Sequence, residues 1–346
     1  MTNKIISVLL CVSCVFSVVG LEGYFMLLGI KNGQLFTDSL LVIHQGELVY
    51  ERHAGGWDMD TPHQMYSVTK SVVSALVGVA ILDEKIESVQ QKAIEFFEDD
   101  VTIAPGQESK REITIEQLLR STSGLPGDSD NGAHVEWWTA EDSGVAAFET
   151  PQVAAPGERF AYSSGPGLQT LACLISRAVE DNLFEYAKRK LFEPLGMSSV
   201  IWDSADDGNN YGGFGLQMSA RDMMRLGLLY LNNGCWDGVQ LIPAAYIEAS
   251  QPPPGDPDSY GYTFWNFTKL SRYDSAYMAS GSFGQLICIM PEQDIVFVRT
   301  GSAGPMTSFV SGAAYENAIA DFFLMGLIFP FLPLQGIPID YFRASL

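Results

Sequence analysis

The stretch "HQMYSVTKSVVSALVGVAIL", residues 63–82, joins a polar mouth to an almost wholly apolar run. From Val72 to Leu82 only Ser74 and Gly78 interrupt Val, Ala, Leu and Ile, so a helix here has hardly any polar face and is expected to be buried nearly all round. Ser67 and Lys70 stand at its start. Residues three apart share a helix face, with Cβ atoms about 5–6 Å apart, so Ser67 Oγ and Lys70 Nζ can meet over one turn. An ammonium in apolar surroundings is costly unless it is paired or loses its proton. A lysine deprotonated in this way can activate a serine hydroxyl, which is otherwise a weak nucleophile. The unpaired N–H groups of the helix start can stabilise negative charge arising at Ser67. Taken alone the pair decides nothing, because S-x-x-K also describes a surface serine beside a lysine whose stem lies along apolar surface.

Before this helix, "SLLVIHQGELVYERHAGG" has two β-rich runs, Leu40–Ile43 and Leu48–Tyr50, around Gln45-Gly46, the pattern of a hairpin. Near the far end, "AYMASGSFGQLICIMPEQDIVFVRTG" predicts strands at about 276–280, 285–290 and 295–300, the last two joined by Pro291 to Asp294. Between these groups the pattern is mostly helical, as in "TIEQLLRSTSG", "GLQTLACLISRAVEDNLFEYAKRKLF" and "SARDMMRLGLLYLNNG". Strands at both ends and helices in the middle predict an α+β fold: one antiparallel β-sheet built from both ends and flanked by helices, with an all-helical region inserted. The expected division is 37–82 plus 258–326 for the sheet region, 83–257 for the helical insertion, and 327–346 for an atypical apolar tail that either packs on the sheet or touches a membrane.

The 346 residues, 47% hydrophobic, suffice for a full core. Twenty Lys and Arg stand against 41 Asp and Glu, a net charge of −21, which repels phosphate backbones and argues against a nucleic-acid partner. Residues 1–20 carry Lys4, an apolar run from Ile5 to Val19 and Gly20, the pattern of a signal peptide, and "GYFMLLGI" just after could extend it into a membrane anchor. Both alternatives imply export to a periplasmic or extracellular location, with a membrane tether in the second. Cys11 and Cys14 fall in this segment. Cys173, Cys235 and Cys288 are odd in number and lack metal-ligand spacing, so buried small hydrophobes are expected rather than disulfides or a metal site. Of His44, His53, His63 and His134, none comes with a metal motif, and no G-x-S-x-G frames a Ser-His-Asp triad. No cofactor is implied.

Two further segments give Ser67 and Lys70 a context: "PGERFAYSS" at 156–164 and "ASGSFGQ" at 279–285. Together with "TDSLLVIHQGELVYE", "ITIEQLLRSTSGLP", "LFEPLGM", "GGFGLQMSARDMMRLGLLYLNNGCWDGVQLIP" and "YGYTFWN", the chain resembles the serine β-lactamase and penicillin-binding-protein superfamily over roughly residues 37–325. The likeness is to its class C-like branch of esterases, peptidases and 6-aminohexanoate-dimer hydrolases. The resemblance implies a β-lactamase/transpeptidase-like fold and a serine hydrolase acting through a Ser67 acyl-enzyme. Lys70 is then its partner, and Tyr162 matches the tyrosine of the family's Y-x-N motif, which moves a proton between nucleophile and leaving group. Ser164 stands in place of the asparagine, with one donor where the amide has two. The family's third motif, a cation followed by Thr or Ser and Gly, falls on Ala279, Ser280 and Gly281, and the N–H of Ser282 would join that of Ser67 in an oxyanion hole. With the cation gone, a substrate carboxylate loses its partner, so uncharged esters or small amides become the expected substrates ahead of β-lactams. The loop 127–150, with Asp128, Asp130, Glu136, Glu141 and Asp142 beside Trp137 and Trp138, reads as a solvated acidic loop pinned by the two tryptophans, or as a lid favouring cationic or apolar acyl groups. The other reading of the whole chain is a catalytically silent relative whose cleft binds peptide or cell-wall fragments, or which serves as an assembly module.

Overall fold

A computed structural model describes residues 35–130, 136–253, 259–266, 275–303 and 337–338. The N-terminal segment 1–20, His134 and most of the tail 327–346 lie outside the described residues. The chain enters through a hairpin, β1 (Leu35–His44) and β2 (Glu47–His53), whose turn residues Gln45 and Gly46 both have positive φ, 53° and 73°. Two left-handed residues give the backbone twist that matches right-twisted strands. A short strand, β3 (His63–Gln64), leads into α1 (Val68–Leu82), of which residues 68 to 80 are all buried, as its missing polar face requires.

The middle of the chain holds α2 (Ile115–Leu119), α3 (Ser143–Glu149), α4 (Pro166–Val179), α5 (Leu183–Ala187), α6 (Ala220–Leu231) and α7 (Ala244–Ser250). Thr114 with Gln117 and Ser219 with Asp222 form reciprocal caps that start α2 and α6. The long helical pattern from 167 to 192 is broken, because Glu180 turns left-handed at φ 55° and Asn182 caps a new helix by accepting from Phe184 and Glu185 N–H. The inserted region is not wholly helical. Strands β4 (Ile201–Trp202) and β5 (Leu216–Met218) join β3 in a small sheet, and β6 (Cys235–Trp236) pairs with β7 (Val239–Gln240).

The C-terminal part supplies β8 (Trp265–Asn266), β9 (Tyr277–Gly281), β10 (Gln285–Met290), β11 (Ile295–Ala303) and β12 (Ile337–Pro338). With the first hairpin they make one seven-stranded sheet in the order β12-β2-β1-β11-β10-β9-β8, antiparallel at every pairing. β12 places two residues of the tail against Glu47 and Leu48. Strand alternation sends Leu41, Ile43, Ala279, Ile287, Val296 and Val298 into the cluster that includes α1, and Leu40, Val42, Met278, Cys288 and Phe297 into a second cluster on the other face. Helix α6 lies on β11, β10 and β1, so residues 220–231 belong with the sheet although they fall inside the stretch expected as an insertion. Gly227 allows this, since a Cβ there would come 2.6 Å from Val296 Cγ1.

Cys173 and Cys288 are buried and unpaired, whereas Cys235 is only half-buried, on the short strand β6. Among the described residues no helix is long and apolar enough to cross a membrane.

Candidate active site

The chain approaches Ser67 along β3, whose pairing with β5 sets His63 opposite Met218. Tyr66 then takes φ 48°, a left-handed conformation unusual for a residue with a bulky side chain, and Ser67 follows as the residue capping α1. Such conformations persist only where the surroundings hold them, and they collect at functional sites. The Ser67 side chain makes no capping bond to the helix. Lys70 Nζ takes it up instead, at 2.8 Å from Ser67 Oγ.

Lys70 is 1% exposed and its ammonium is enclosed by acceptors. Besides Ser67 Oγ it donates to Ser164 Oγ at 3.0 Å and to the Gly213 carbonyl at 3.0 Å. The buried charge that looked misplaced in the sequence therefore has three partners for its three protons. The face of the Tyr162 ring covers it, 4.7 Å from Nζ to the ring centroid, so Tyr162 meets Lys70 through its π-face rather than by a bond from its hydroxyl. Each partner is delivered by a different segment. Ser164 lies just before α4, and Gly213 lies in the "YGGFG" turn before β5, where a Cβ would stand 2.0 Å from the Ser164 carbonyl oxygen. Only glycine lets that turn press against Ser164 and present its own carbonyl to Lys70.

The structure ties Ser164 to a residue whose part in the site was not legible in the sequence. Asp128 Oδ1 accepts the Ser164 N–H at 2.6 Å, and Oδ2 accepts its hydroxyl at 2.6 Å. Asp128 N–H in turn donates to the Tyr162 carbonyl at 2.7 Å. The described residues of the loop 127–150 are tied down at several points. Asp130 pairs with Arg159, Asp142 caps α3 and pairs with Arg177, and Trp137 is buried.

On the far side of Ser67 runs the end of β9. A Cβ on Gly281 would lie 2.3 Å from the Met65 carbonyl oxygen and 3.3 Å from Ser67 N, so the missing side chain allows the strand to close on the backbone of Ser67. Ser282 follows in a short 3-10 turn, with Phe283 left-handed at φ 62°. Arg299, 1% exposed, donates to the carbonyls of Phe283 at 3.2 Å and Gly284 at 2.8 Å and to Thr37 Oγ1 at 3.0 Å. Its guanidinium braces this turn rather than reaching into the cleft. Ser280, on the opposite strand parity, is half-buried.

Ala279 is 0% exposed and packs in the core cluster that includes α1, on the same face of β9 as Gly281. His63 is also buried, stacked on Trp57 at 3.8 Å, with its ring nitrogens toward Thr300 Oγ1 at 3.3 Å and Asp38 Oδ2 at 3.8 Å rather than Ser67. Burial pushes Asp38 up to about 6 and His63 down to about 4. His53 is held between Ser39 and Glu51.

Aromatic rings flank the site. Tyr162 packs with Tyr260 and Trp265, which also meet Phe160, 44% exposed. Tyr211 stacks on Phe214 at 4.7 Å, next to Gly213, and Tyr66 meets Phe283 at 5.1 Å. Burial, with Tyr162 and Asp128 nearby, holds the Tyr260 phenol well above its ordinary value, so it stays protonated. Among the described residues no group of His, Cys, Asp and Glu is arranged to hold a metal ion.

A family model described as Beta-lactamase matches residues 29–321. Among solved structures, one from Bacillus anthracis, provisionally described as a 6-aminohexanoate-dimer hydrolase, is 22% identical with a TM-score of 0.67, the match covering 88% of this chain and 82% of that one. An octameric penicillin-binding protein homologue from Pyrococcus abyssi is 21% identical with a TM-score of 0.66, over 94% of this chain and 80% of that one. A class C beta-lactamase from Rhodobacter sphaeroides is 16% identical with a TM-score of 0.66, over 89% and 99%. At these identities the likeness is one of fold. No curated protein matches the chain.

Proposed function

Since the chain belongs to the beta-lactamase family, whose members include hydrolases, we propose that it cleaves ester or small amide bonds through an acyl-enzyme on Ser67. The observation that carries this is the buried Lys70 ammonium, 2.8 Å from Ser67 Oγ and enclosed by acceptors. In acylation Lys70, having lost its proton, takes that of the Ser67 hydroxyl, and Oγ attacks the substrate carbonyl carbon. The carbonyl oxygen gains negative charge between the N–H groups of Ser67 and Ser282, with the start of α1 adding its dipole. To the Tyr162 hydroxyl, carried on the ring that covers Lys70, we assign delivery of a proton to the leaving alcohol or amine, with the Lys70 proton replacing it once that hydroxyl turns from its present ring-face contact. A water then attacks the acyl carbon, and Ser67 leaves with its proton restored.

The substrate class follows from what surrounds Ser67. Ala279 offers no charge to a carboxylate, Arg299 is committed to backbone carbonyls, and aromatic surfaces stand on either side. Uncharged esters and small amides with apolar acyl groups fit this better than carboxylate-bearing β-lactams. An export signal in residues 1–20 would place the activity outside the cytoplasm.

Intact-mass measurement after treatment with a fluorophosphonate tests the reading. One mass increment is expected on the wild type and none on Ser67→Ala. A folded wild type that takes up no label makes the chain a binding module that uses the same cleft.

A further inference from the structure

The geometry points to Asp128 as a positioning residue that sets the direction of the hydrogen bond between Ser164 and Lys70, an inference resting on the acyl-enzyme reading. A serine hydroxyl has one proton and can turn it either way, whereas an amide presents a fixed acceptor oxygen. Ser164 Oγ lies between Asp128 Oδ2 at 2.6 Å and Lys70 Nζ at 3.0 Å. A carboxylate only accepts, so the hydroxyl proton goes to Asp128 and a lone pair faces Lys70. The Gly213 carbonyl, also an acceptor only, takes a second N–H.

The consequence falls on Ser67. A neutral Lys70 has two N–H bonds, and both are occupied by Ser164 and Gly213. Its lone pair is left for the third neighbour, Ser67 Oγ at 2.8 Å, whose proton it is poised to receive. Once protonated, Lys70 has three N–H bonds and the same three acceptors, so the proton moves without any heavy atom having to find a new partner. If Ser164 turned its proton toward Lys70, the amine lone pair would be drawn to Ser164 and away from the nucleophile. Asp128 prevents that turn, and its other oxygen on Ser164 N–H, with its own N–H on the Tyr162 carbonyl, fixes its place at the open side of the site.

Asp128→Asn is the discriminating variant. Its amide oxygen can still accept Ser164 N–H, while its NH2 donates to the hydroxyl and forces the hydroxyl proton toward Lys70. The rate of fluorophosphonate labelling and kcat for a p-nitrophenyl ester are expected to fall about 10- to 100-fold, the scale of one hydrogen bond to a charged group, with KM and Tm little changed. In a Ser164→Ala background the same change should cost nothing further, because there is no hydroxyl left to orient. Full activity in Asp128→Asn, or losses that multiply with Ser164→Ala, overturns the inference. Neutron diffraction from crystals of the full chain reads the proton directly and independently of turnover. The deuterium bonded to Ser164 Oγ is expected to point at Asp128 Oδ2, with the deuterium on the Lys70 side bonded to Nζ, and an Oγ-bonded deuterium pointing at Lys70 overturns the inference whether or not the wild type is labelled. An unlabelled wild type with deuterium toward Asp128 removes the acyl-enzyme reading instead.

Discussion

Replacing Gly281 by alanine isolates the oxyanion side of the site. Gly281 has φ −131° and ψ 160°, extended backbone that any residue adopts, so the substitution brings no dihedral strain. What it brings is a methyl 2.3 Å from the Met65 carbonyl oxygen, where ordinary contact begins at 3.4 Å. The end of β9 must therefore retreat from the nucleophile by about 1 Å, a displacement of the size that can cost about 10²-fold in rate. The retreat carries Ser282 with it, and removing one oxyanion donor costs about 10²- to 10³-fold. The expected result is a fall of about 10²- to 10³-fold in kcat/KM for a neutral p-nitrophenyl ester, mostly in kcat, with fluorophosphonate labelling slowed in parallel. Stability should fall by about 1–3 kcal/mol, the cost of an overpacked contact, leaving the chain folded at 25 °C. Labelling of Gly281→Ala within about threefold of the wild type would refute the placing of an oxyanion donor on this strand end, since a shift of about 1 Å could not then pass unnoticed.

Lys70→Ala and Tyr162→Phe are each expected to slow acylation by at least about 10²-fold, with the double variant little worse than the poorer single one, as pre-steady-state burst measurements would show. Independent, multiplying losses would mean that the two do not share a relay. The buried pair Asp38 and His63 should reveal itself in pH titrations of stability. Asp38, raised to about 6, contributes stability that is present below about 3.8 and lost as pH rises through about 6. His63, lowered to about 4, contributes stability that is present above about 6.5 and lost as pH falls through about 4, so in the wild type the two slopes oppose each other. Relative to the wild type, denaturant titrations should show Asp38→Asn gaining stability between pH 4 and 6 and His63→Gln losing it between pH 4 and 6.5, each by up to about 3 kcal/mol. Parallel curves would count against both shifts. Finally, neutral esters should be turned over far better than a cephalosporin, and Ala279→Lys should lower stability by about 1–3 kcal/mol or more, read by thermal unfolding, because the position is wholly buried.

The sheet was legible because its strands alternate and its turns carry Gly, Gln, Pro and Asp, and α1 was legible because nothing on its surface wants water. The pairing of Ser67 with Lys70 followed from helical spacing alone. What sequence could not supply were contacts between segments far apart in the chain that carry no local pattern. Asp128 reads as one more acid in an acidic loop until folding sets it against Ser164, 36 residues away. The Gly213 carbonyl belongs to the backbone and has no signature except the Gly-Gly pair that permits its approach. The short strands β4 and β5 escaped because two or three residues are too few to show a period.

The order in which these segments occur along the chain has a consequence for synthesis. Strand β1 pairs Leu35 with Ala303 and His44 with Ile295, so this strand, the first among the described residues, waits some 250 residues for its neighbour in the centre of the sheet. Ser67 waits as long. Ser67 emerges early, Ser164 and Gly213 arrive in the middle, and Gly281 and the turn braced by Arg299 come near the end. A nascent chain stopped anywhere before β9 would hold a serine and a lysine with no hole to receive an oxyanion. On the acyl-enzyme reading the Ser67 hydroxyl is thus kept inert by topology until β9 has been made, and no proteolytic fragment short of that point should inherit its reactivity.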